Sequence, residues 1–316
     1  AYPVPVTTVL AVVADHLGVE WREAGDPVAD AVIWDVRLPR ACLAAIVGAG
    51  LGAAGACLQA VFRNPLADPA LIGVTGGASV GAAFAIVTGF AVLGPLSLPV
   101  AAAAAGLVAT LAVYGFARRG GRTEVVTLIL TGLAVNAVAT ALVGFATYVS
   151  DPEQLQDIVF WTLGSLGGAS WETVRAALAF VVLGVALIPL FGRSLDLMVL
   201  GEREAGHLGV STERVRLALI VVSALAAGAG VAVAGVIGFV GLIVPHVVRL
   251  LAGPANRVVL PLSAVAGATL LLLADLAART LAAPAELPLG VLTAALGGPF
   301  FLVLVHRTRG AHGGWG

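Results

Sequence analysis

The chain has 316 residues, of which 59% are hydrophobic and 11% charged, and its formal net charge is −1 with a mean hydropathy of +1.03. Because soluble domains carry about a quarter charged residues, this composition excludes a soluble globular protein and indicates a membrane protein. The near-zero net charge argues against a nucleic-acid partner. The apolar runs are continuous and of helical length, which argues against a membrane barrel with alternating segments of about ten residues.

Residues 1–36 are amphipathic and acidic and contain no spanning segment. Beyond them, nine apolar segments are each about long enough to cross the hydrocarbon of a bilayer. The nine predicted spans are 40–61, 72–93, 97–117, 125–148, 173–192, 215–234, 236–252, 258–279 and 288–306. We therefore predict an all-α polytopic membrane protein with an outer-side N-terminal segment at 1–36, one transmembrane domain at 37–309 and a cytoplasmic tail at 310–316.

The arginines give the orientation, because cytoplasmic loops of membrane proteins carry an excess of Lys and Arg. Alternating the nine spans places most arginines on one side, namely Arg63, Arg118, Arg119, Arg122, Arg193, Arg203, Arg214, Arg216, Arg249, Arg257, Arg307 and Arg309. The opposite side has only Arg22, Arg37, Arg40, Arg175 and Arg279. We predict that the richer side is cytoplasmic, which puts Ala1 outside and leads us to expect a further span upstream of it.

Three outer arginines form the first candidate site. Arg37 and Arg40 flank Pro39 at the start of the first span, and Arg279 ends another span on the same side. Asp275 precedes Arg279 by four residues, a spacing at which the two side chains can pair on a helix. Two interpretations stay open: snorkelling of arginines at helix ends and docking of an acidic protein surface.

The segment Asn64-Pro65-Leu66 follows the first span on the predicted cytoplasmic side. Pro65 removes a backbone donor and ends the preceding helix. Irregular backbone at membrane depth is tolerated where protein buries it or where it lines a cavity. The residues alone favour a tight turn, with a gate as the alternative. The nearby Cys42 and Cys57 lie in one apolar segment and are interpreted as small core residues.

Thr131, Asn136 and Thr140 are polar residues inside the span at 125–148, and the last two share a helix face. Such residues favour hydrogen bonds between helices, with lining of a pathway as the alternative. His246, which follows Pro245, is interpreted as locally satisfied, because no second histidine has a matching spacing. We predict no metal site.

The longest cytoplasmic loop, at 194–216, is rich in charge on a chain that is otherwise apolar. We predict two short helices in it, separated at Gly206 and Gly209, with Glu202 and Glu204 in the first. A solvated loop and a surface gripped by a soluble partner are the two interpretations.

The sequence contains no lysine, so all 17 basic residues are arginines. A P-loop ATPase needs the Walker A lysine to hold nucleotide phosphates. The chain therefore cannot be a P-loop ATPase, and if ATP drives it, a separate subunit hydrolyses the ATP. No nucleophile–base–acid set points to an enzyme.

Several stretches together resemble one family. They are WDVRLPRACLAAIVGAGLGAAGACLQAVFRNPLADPALIGVTGGASVGA, FWTLGSLGGASW, GEREAGHLG, GFVGLIVPHVVR and ADLAARTLAAPAELPLGVLTAALGGPFF. In this order, from about residue 34 to 306, they resemble the FecCD/BtuC family, permeases of type II ABC importers for ferric siderophores, haem and vitamin B12. The resemblance implies ten spans per subunit, with the first family span missing before Ala1 and nine visible.

The resemblance also implies the partners: two cytoplasmic ATPase subunits that bind ATP and Mg, an external binding protein, and a second permease that is identical or closely related. No cofactor is expected in this chain, and its location would be the inner membrane of a bacterium.

Site residues follow from the matched motifs. By resemblance, Arg37, Arg40 and Arg279 meet glutamates of the binding protein, Asn64, Pro65 and Leu66 form a cytoplasmic gate, and the helix at 125–148 lines the pathway with Thr131, Asn136 and Thr140. The residues expected to couple to the ATPase are Glu202, Arg203, Glu204, Ala205, Gly206, His207, Leu208 and Gly209.

For the substrate, QLQDIVFWTLGSLGGASW and TLAAPAELPLG look most like haem permeases, ahead of siderophore permeases and then cobalamin permeases. No haem-ligating pair of side chains is evident, as expected if the binding protein reads the ligand. The rival class is a secondary transporter or channel, which would need an intramembrane ion site. Asp275 is the only candidate acid, and Arg279 can account for it.

Overall fold

The computed structural model describes residues 3–19, 26–119 and 122–311, and these residues are nearly all helical. The helices, in chain order, are α1 (Val6–His16), α2 (Pro27–Ala31), α3 (Leu38–Phe62), α4 (Val74–Thr88), α5 (Ser97–Ala117), α6 (Val125–Val149), α7 (Pro152–Leu163), α8 (Trp171–Leu187), α9 (Gly192–Val199), α10 (Glu202–His207), α11 (Thr212–Ala234), α12 (Val240–Ala252), α13 (Asn256–Thr280) and α14 (Leu289–Ala311). A two-stranded antiparallel ribbon, β1 (Arg118–Arg119) with β2 (Arg122–Thr123), joins α5 to α6. The predicted all-α fold is confirmed. Arg22 and the last part of the predicted tail, 312–316, lie outside the described residues.

Six helical segments of the described chain are long and apolar enough to cross a membrane. They are Pro27–Phe62, Gly94–Ala117, Val125–Val149, Trp171–Val199, Thr212–Ala234 and Asn256–Thr280. Each contains one predicted span, and the first begins at Pro27, within the predicted N-terminal segment 1–36. The other three predicted spans correspond to shorter apolar helices, at Val74–Thr88, Val240–Ala252 and Leu289–Val303.

The predicted lengths of two spans are therefore wrong, although the helices exist. Helix α4 ends at Thr88 because Gly89 adopts a left-handed conformation with φ of 63° and caps it. With 15 residues it is about 22 Å long, less than the roughly 30 Å of bilayer hydrocarbon. Helix α12 begins only at Val240 because Gly235, with φ of 70°, ends α11 and the connection to Phe239 is not helical.

Helix α7 lies between the predicted spans at 125–148 and 173–192 and was not predicted from the sequence. Asp151 accepts hydrogen bonds from the backbone of Glu153 and Gln154, and the Gln154 side chain accepts one from the Asp151 N–H. This reciprocal cap, followed by a proline at the first helical position, is a helix start signal that the sequence carries openly. The N-terminal segment likewise contains α1 and α2, and α2 continues through a π-helical turn, Val32–Arg37, into α3.

Helix α3 lies at the centre of the bundle, where its glycines allow backbone to touch backbone. A Cβ atom at Gly48 would lie 2.3 Å from the carbonyl oxygen of Gly267, and one at Gly52 would lie 2.1 Å from that of Ser263, both on α13. A Cβ at Gly55 would lie 2.1 Å from the carbonyl oxygen of Gly241 on α12. Such contacts are how helices associate in lipid, where the hydrophobic effect gives little drive between them.

Replacing Gly52 by Ala should destabilise the protein, because the added methyl group would collide with the α13 backbone, which cannot rotate away. We expect a loss of at least about 2 kcal/mol in the free energy of unfolding, the scale of an overpacked core. Denaturant titration of the purified protein in detergent measures it. The matched control is Gly115→Ala on α5, where nothing lies within 4 Å of the added atom. Equal effects of the two substitutions would contradict close packing at Gly52.

Candidate functional site

A buried carboxylate joins two of the predicted docking arginines. The Arg40 Nε donates to the Asp275 Oδ1 at 2.9 Å, and the Arg279 Nε lies 3.1 Å from the other oxygen of the same carboxylate. Arg40 also pairs through Nη1 with Glu286 at 2.9 Å. The predicted pair of Asp275 with Arg279 is thus confirmed. Asp275 is 2% exposed, so its charge is stabilised by two arginines rather than by water.

Arg40 differs from the surface arginine that both sequence interpretations assumed. It is 9% exposed and its guanidinium holds α3 against α13 and against the segment that follows α13. Arg279 keeps about a third of its side chain exposed and Arg37 is half-buried. Arg40 therefore has a structural role. Docking of a binding protein stays a prediction for Arg37, Arg40 and Arg279.

An aromatic cluster next to these arginines was not predicted. The His16 ring stacks on Trp34 with ring centroids 3.9 Å apart, and its Nε2 lies 3.2 Å from Asp30. The Trp171 Nε1 donates to the Trp34 carbonyl oxygen at 2.9 Å. These contacts fasten α1 and the π-helical turn to the start of α8. They join residues far apart in the chain, so only the presence of tryptophans in an acidic segment could have pointed to them.

The predicted gate segment forms a tight turn. The Leu66 N–H donates to the Asn64 Oδ1 at 2.9 Å, and the Ala70 N–H donates to the Asp68 Oδ1 at 2.9 Å, which caps a 3₁₀ helix at Pro69–Ile72. Burial raises the pKa of the Asp68 carboxyl, while the hydrogen bond from Ala70 lowers it. The Leu66 side chain is exposed. The turn interpretation is confirmed, and the gate remains a prediction.

The three predicted lining residues of α6 have different environments. The Asn136 Nδ2 donates to the Ala70 carbonyl oxygen at 2.7 Å, which is a bond between segments, and its Oδ1 is buried without a hydrogen-bond partner in the described chain. Thr131 and Thr140 donate to carbonyl oxygens one turn back in their own helix. Thr140 also borders a cavity of 220 Å³ that Thr162 of α7 lines from the other side.

The predicted coupling loop contains the larger part of α9 and the short helix α10, which are separated at Leu200 and Gly201 rather than at Gly206 and Gly209. Glu202 and Glu204 do lie in the first predicted helix, α10, but the chain after Gly209 enters the first turn of α11 at Thr212. The reason is that Gly209, with φ of 85°, ends α10, and the following residues continue the long apolar helix. All the predicted coupling residues are exposed except Ala205, which is buried.

Behind α10 lies an arginine that the sequence analysis counted only as a cytoplasmic charge. Arg216 of α11 pairs with Glu202 of α10 and with Glu213 of its own helix. Glu213 in turn accepts hydrogen bonds from the Thr123 N–H at 3.2 Å and the Thr123 Oγ1 at 2.9 Å. Arg216 is 2% exposed. The i, i+3 spacing of Glu213 and Arg216 is the one signal for this cluster in the sequence.

Comparisons with known proteins give a consistent result. The model of the FecCD transport family matches residues 1–307. The chain is 43% identical to the hemin transport system permease protein HmuU of Yersinia pestis, over 88% of this chain and 84% of that protein. It is 40% identical to the cobalamin import system permease protein BtuC of Halobacterium salinarum, over 88% and 74%. A solved metal-chelate type ABC transporter in an inward-facing conformation is 37% identical, with a TM-score of 0.83 over 95% of this chain and 97% of the other.

Replacing Asp275 by Asn should strongly destabilise the bundle, because Arg40 and Arg279 would lose their shared buried carboxylate. Breaking a buried pair by removing one partner costs about 3–5 kcal/mol. The control is Glu286→Gln, which removes the half-exposed partner of Arg40 and should cost at most about 1 kcal/mol. Denaturant titration in detergent compares the two free energies of unfolding. A Glu286 variant as unstable as the Asp275 variant would show that the buried carboxylate is not what closes this end of the bundle.

Proposed function

The chain belongs to the FecCD transport family, and we propose that it carries an iron chelate, haem first and a ferric siderophore next, into the bacterial cytoplasm. It is a multi-pass membrane permease of a type II ABC importer, and the observation that carries this conclusion is the family match over residues 1–307. The alternative substrate is cobalamin, because a cobalamin permease is also among the similar proteins.

The proposed assembly contains two ATPase subunits, an external binding protein and a second permease that is identical or closely related. The absence of lysine from the sequence supports a separate ATPase, since this chain cannot supply a Walker A lysine. The ATPase would bind ATP and Mg, and this chain would carry no cofactor. An inner-membrane location follows from the family. The exposed face of α10 supports its role as the contact with the ATPase.

Two sequence stretches support the proposed order of substrates, which is haem, then a ferric siderophore, then cobalamin. QLQDIVFWTLGSLGGASW covers α7 and the loop after it, and TLAAPAELPLG connects α13 to α14. The stretches touch, because the Leu289 N–H donates to the Gly164 carbonyl oxygen at 2.9 Å. A single region of the permease thus combines the sequences that resemble haem permeases. The 43% identity to a hemin permease is compatible with this order, and the 40% identity to a cobalamin permease keeps cobalamin as the alternative.

The proposed mechanism links the two ends of the bundle. A loaded binding protein docks its acidic lobes on the outer arginines, and ATP then closes the two ATPases against each other. Helix α10 transmits this closure, so that the permease favours one of two access states. Such a shift requires that the ATPase interact differently with each state. Hydrolysis of the ATP resets the cycle.

The rival function, transport without ATP, would need an ionisable group poised for an ion inside the membrane. Asp275 does not suit this role, because it is held between Arg40 and Arg279. Asp68 is part of the turn between α3 and α4 and caps a 3₁₀ helix there. The described acids therefore favour the importer.

Replacing Arg37 and Arg279 together by Gln should weaken the stimulation of ATP hydrolysis by the binding protein. We expect about a tenfold loss in the apparent affinity for the binding protein, since two exposed charge pairs of roughly 0.7 kcal/mol each would be lost. Arg40 is left in place because it is the more buried partner of Asp275. Because Arg279 pairs with the same carboxylate, denaturant titration must show that the double variant is folded before the two affinities are compared. ATP hydrolysis by the reconstituted complex is titrated with loaded binding protein.

The matched control for this docking test is Arg175→Gln, an exposed arginine at the same end whose Nε donates to the Trp171 carbonyl oxygen. Basal hydrolysis should be the same in all the proteins. Stimulation that survives unchanged in the double variant would remove the docking role of these arginines.

Uptake into proteoliposomes that carry the permease and its ATPase tests the proposed function directly. Haem, a ferric siderophore and cobalamin are each offered on their cognate binding proteins, with and without ATP. We expect ATP-dependent uptake of haem. Uptake of the siderophore or of cobalamin alone would overturn the preferred substrate and keep the importer. Uptake that does not depend on ATP would overturn the importer itself.

A further inference from the structure

We infer that Arg216 is a positioning residue that joins α10 to the N-terminal end of α6, so that a movement of α10 moves α6. This inference rests on the proposed function, because it assigns a route for the motion that the ATPase would impose. Arg216 itself would touch neither the transported chelate nor ATP. Its role would be to keep two separate helices in one mechanical unit.

The geometry supplies the first half of the route. One nitrogen of the Arg216 guanidinium pairs with Glu202, the first residue of α10, and another pairs with Glu213 in the first turn of α11. The second of these nitrogens also lies 3.4 Å from the Thr123 carbonyl oxygen. Glu213 accepts two hydrogen bonds from Thr123. Thr123 lies in β2, two residues before the first residue of α6, so the cluster ends on the strand that leads into that helix.

The charge and burial of the cluster make arginine necessary. Arg216 is 2% exposed, while its partners Glu202 and Glu213 have side chains that are 51% and 27% exposed. A planar guanidinium can hold two carboxylates and a carbonyl oxygen at once, whereas a lysine ammonium is a point charge on a flexible stem. Without the guanidinium, two carboxylates would face each other between α10 and α11. The ion pairs of this cluster therefore hold α10 only as long as the Arg216 guanidinium lies between Glu202 and Glu213.

The second half of the route runs along α6 to the turn after α3. Asn136 of α6 donates to the Ala70 carbonyl oxygen at 2.7 Å. One turn earlier, Gly132 lets α6 pack so closely that a Cβ atom there would lie 1.8 Å from the Leu71 carbonyl oxygen. Both contacts fall on the segment capped by Asp68, which follows the predicted gate. A displacement of α6 would therefore reach that segment without an intermediate element.

Of the six long apolar helices in the described chain, α6 is the least buried within this chain. Only 17% of its most apolar stretch is buried, compared with 67% for α11. Helix α11, which carries Arg216, is by contrast anchored in the core. The side chain of Arg216 rather than its backbone would therefore follow a movement of α10 and shift the Thr123 segment that precedes α6.

The test compares Arg216→Lys with Arg257→Lys in the reconstituted complex. Arg257 pairs with Asp196 at 3.3 Å near the same end of the bundle, but this pair joins α13 to α9 and does not reach α6. We measure the number of chelate molecules imported per ATP hydrolysed, using the chelate that the wild-type complex imports. Arg216→Lys should lower this ratio about tenfold, within the range of ordinary coupling energies, while ATP hydrolysis continues. Arg257→Lys should leave it unchanged.

Thr123→Val gives a second, milder variant that keeps the Arg216 pairs and removes one hydrogen bond to Glu213. It should lower the ratio about threefold, which corresponds to the loss of one hydrogen bond. If either folded variant, Arg216→Lys or Thr123→Val, imports with the wild-type ratio, the inference is wrong while the importer stands. If the wild-type complex itself imports nothing in response to ATP, the proposed function fails and the inference fails with it.

Discussion

The shared carboxylate of Asp275 is the interaction on which one end of the molecule depends. A buried charge is tolerated only when it is paired, and here Arg40 and Arg279 pair it from two directions. Because Arg40 begins the central helix α3 and Asp275 lies near the end of α13, the pair fixes the relative position of these helices. The glycines farther along α3 then bring the same two backbones into contact. Ion pairing at the end and small residues along the length thus define a single rigid unit.

This arrangement divides the polar interactions of the chain into two kinds. Those around Asp275 lie within the rigid unit and hold together helices that are already in close contact. Those around Arg216 join α10 to α11 and to the approach to α6, a helix whose surface is mostly uncovered within the chain. The first kind resists motion, and the second kind allows a small helix to act on a long one. Both groups of interactions consist of arginine–carboxylate pairs. The packing of the helices that they join determines whether the pairs resist motion or transmit it.

The sequence predicts those features that depend on composition or on local spacing. Hydropathy predicts an apolar helix at each of the nine spans, and each is found in the described chain. The i, i+4 spacing predicts the pair of Asp275 with Arg279. The pair of Arg40 with Asp275 cannot be predicted from local spacing, because the residues are 235 positions apart. The lengths of α4 and α12 cannot be predicted from hydropathy either. Left-handed backbone at Gly89 ends α4, and left-handed backbone at Phe239 precedes the start of α12. Helix α7 is different, since its capping signal was present in the sequence and was overlooked.

The distribution of small residues indicates where an access change would take place. Contacts such as those of Gly52 with Ser263 and of Gly132 with Leu71 are fixed, because no side chain stands between the backbones to change its conformation. Helix α6 and the turn after α3 would therefore move together. The contacts of α6 with the turn after α3 include the hydrogen bond from Asn136 to Ala70 and the close approach of Gly132 to Leu71. A cycle between two access states needs an element that has two arrangements of comparable energy. Within the described chain, α6 meets that requirement better than α3 or α13, because its displacement costs fewer buried contacts.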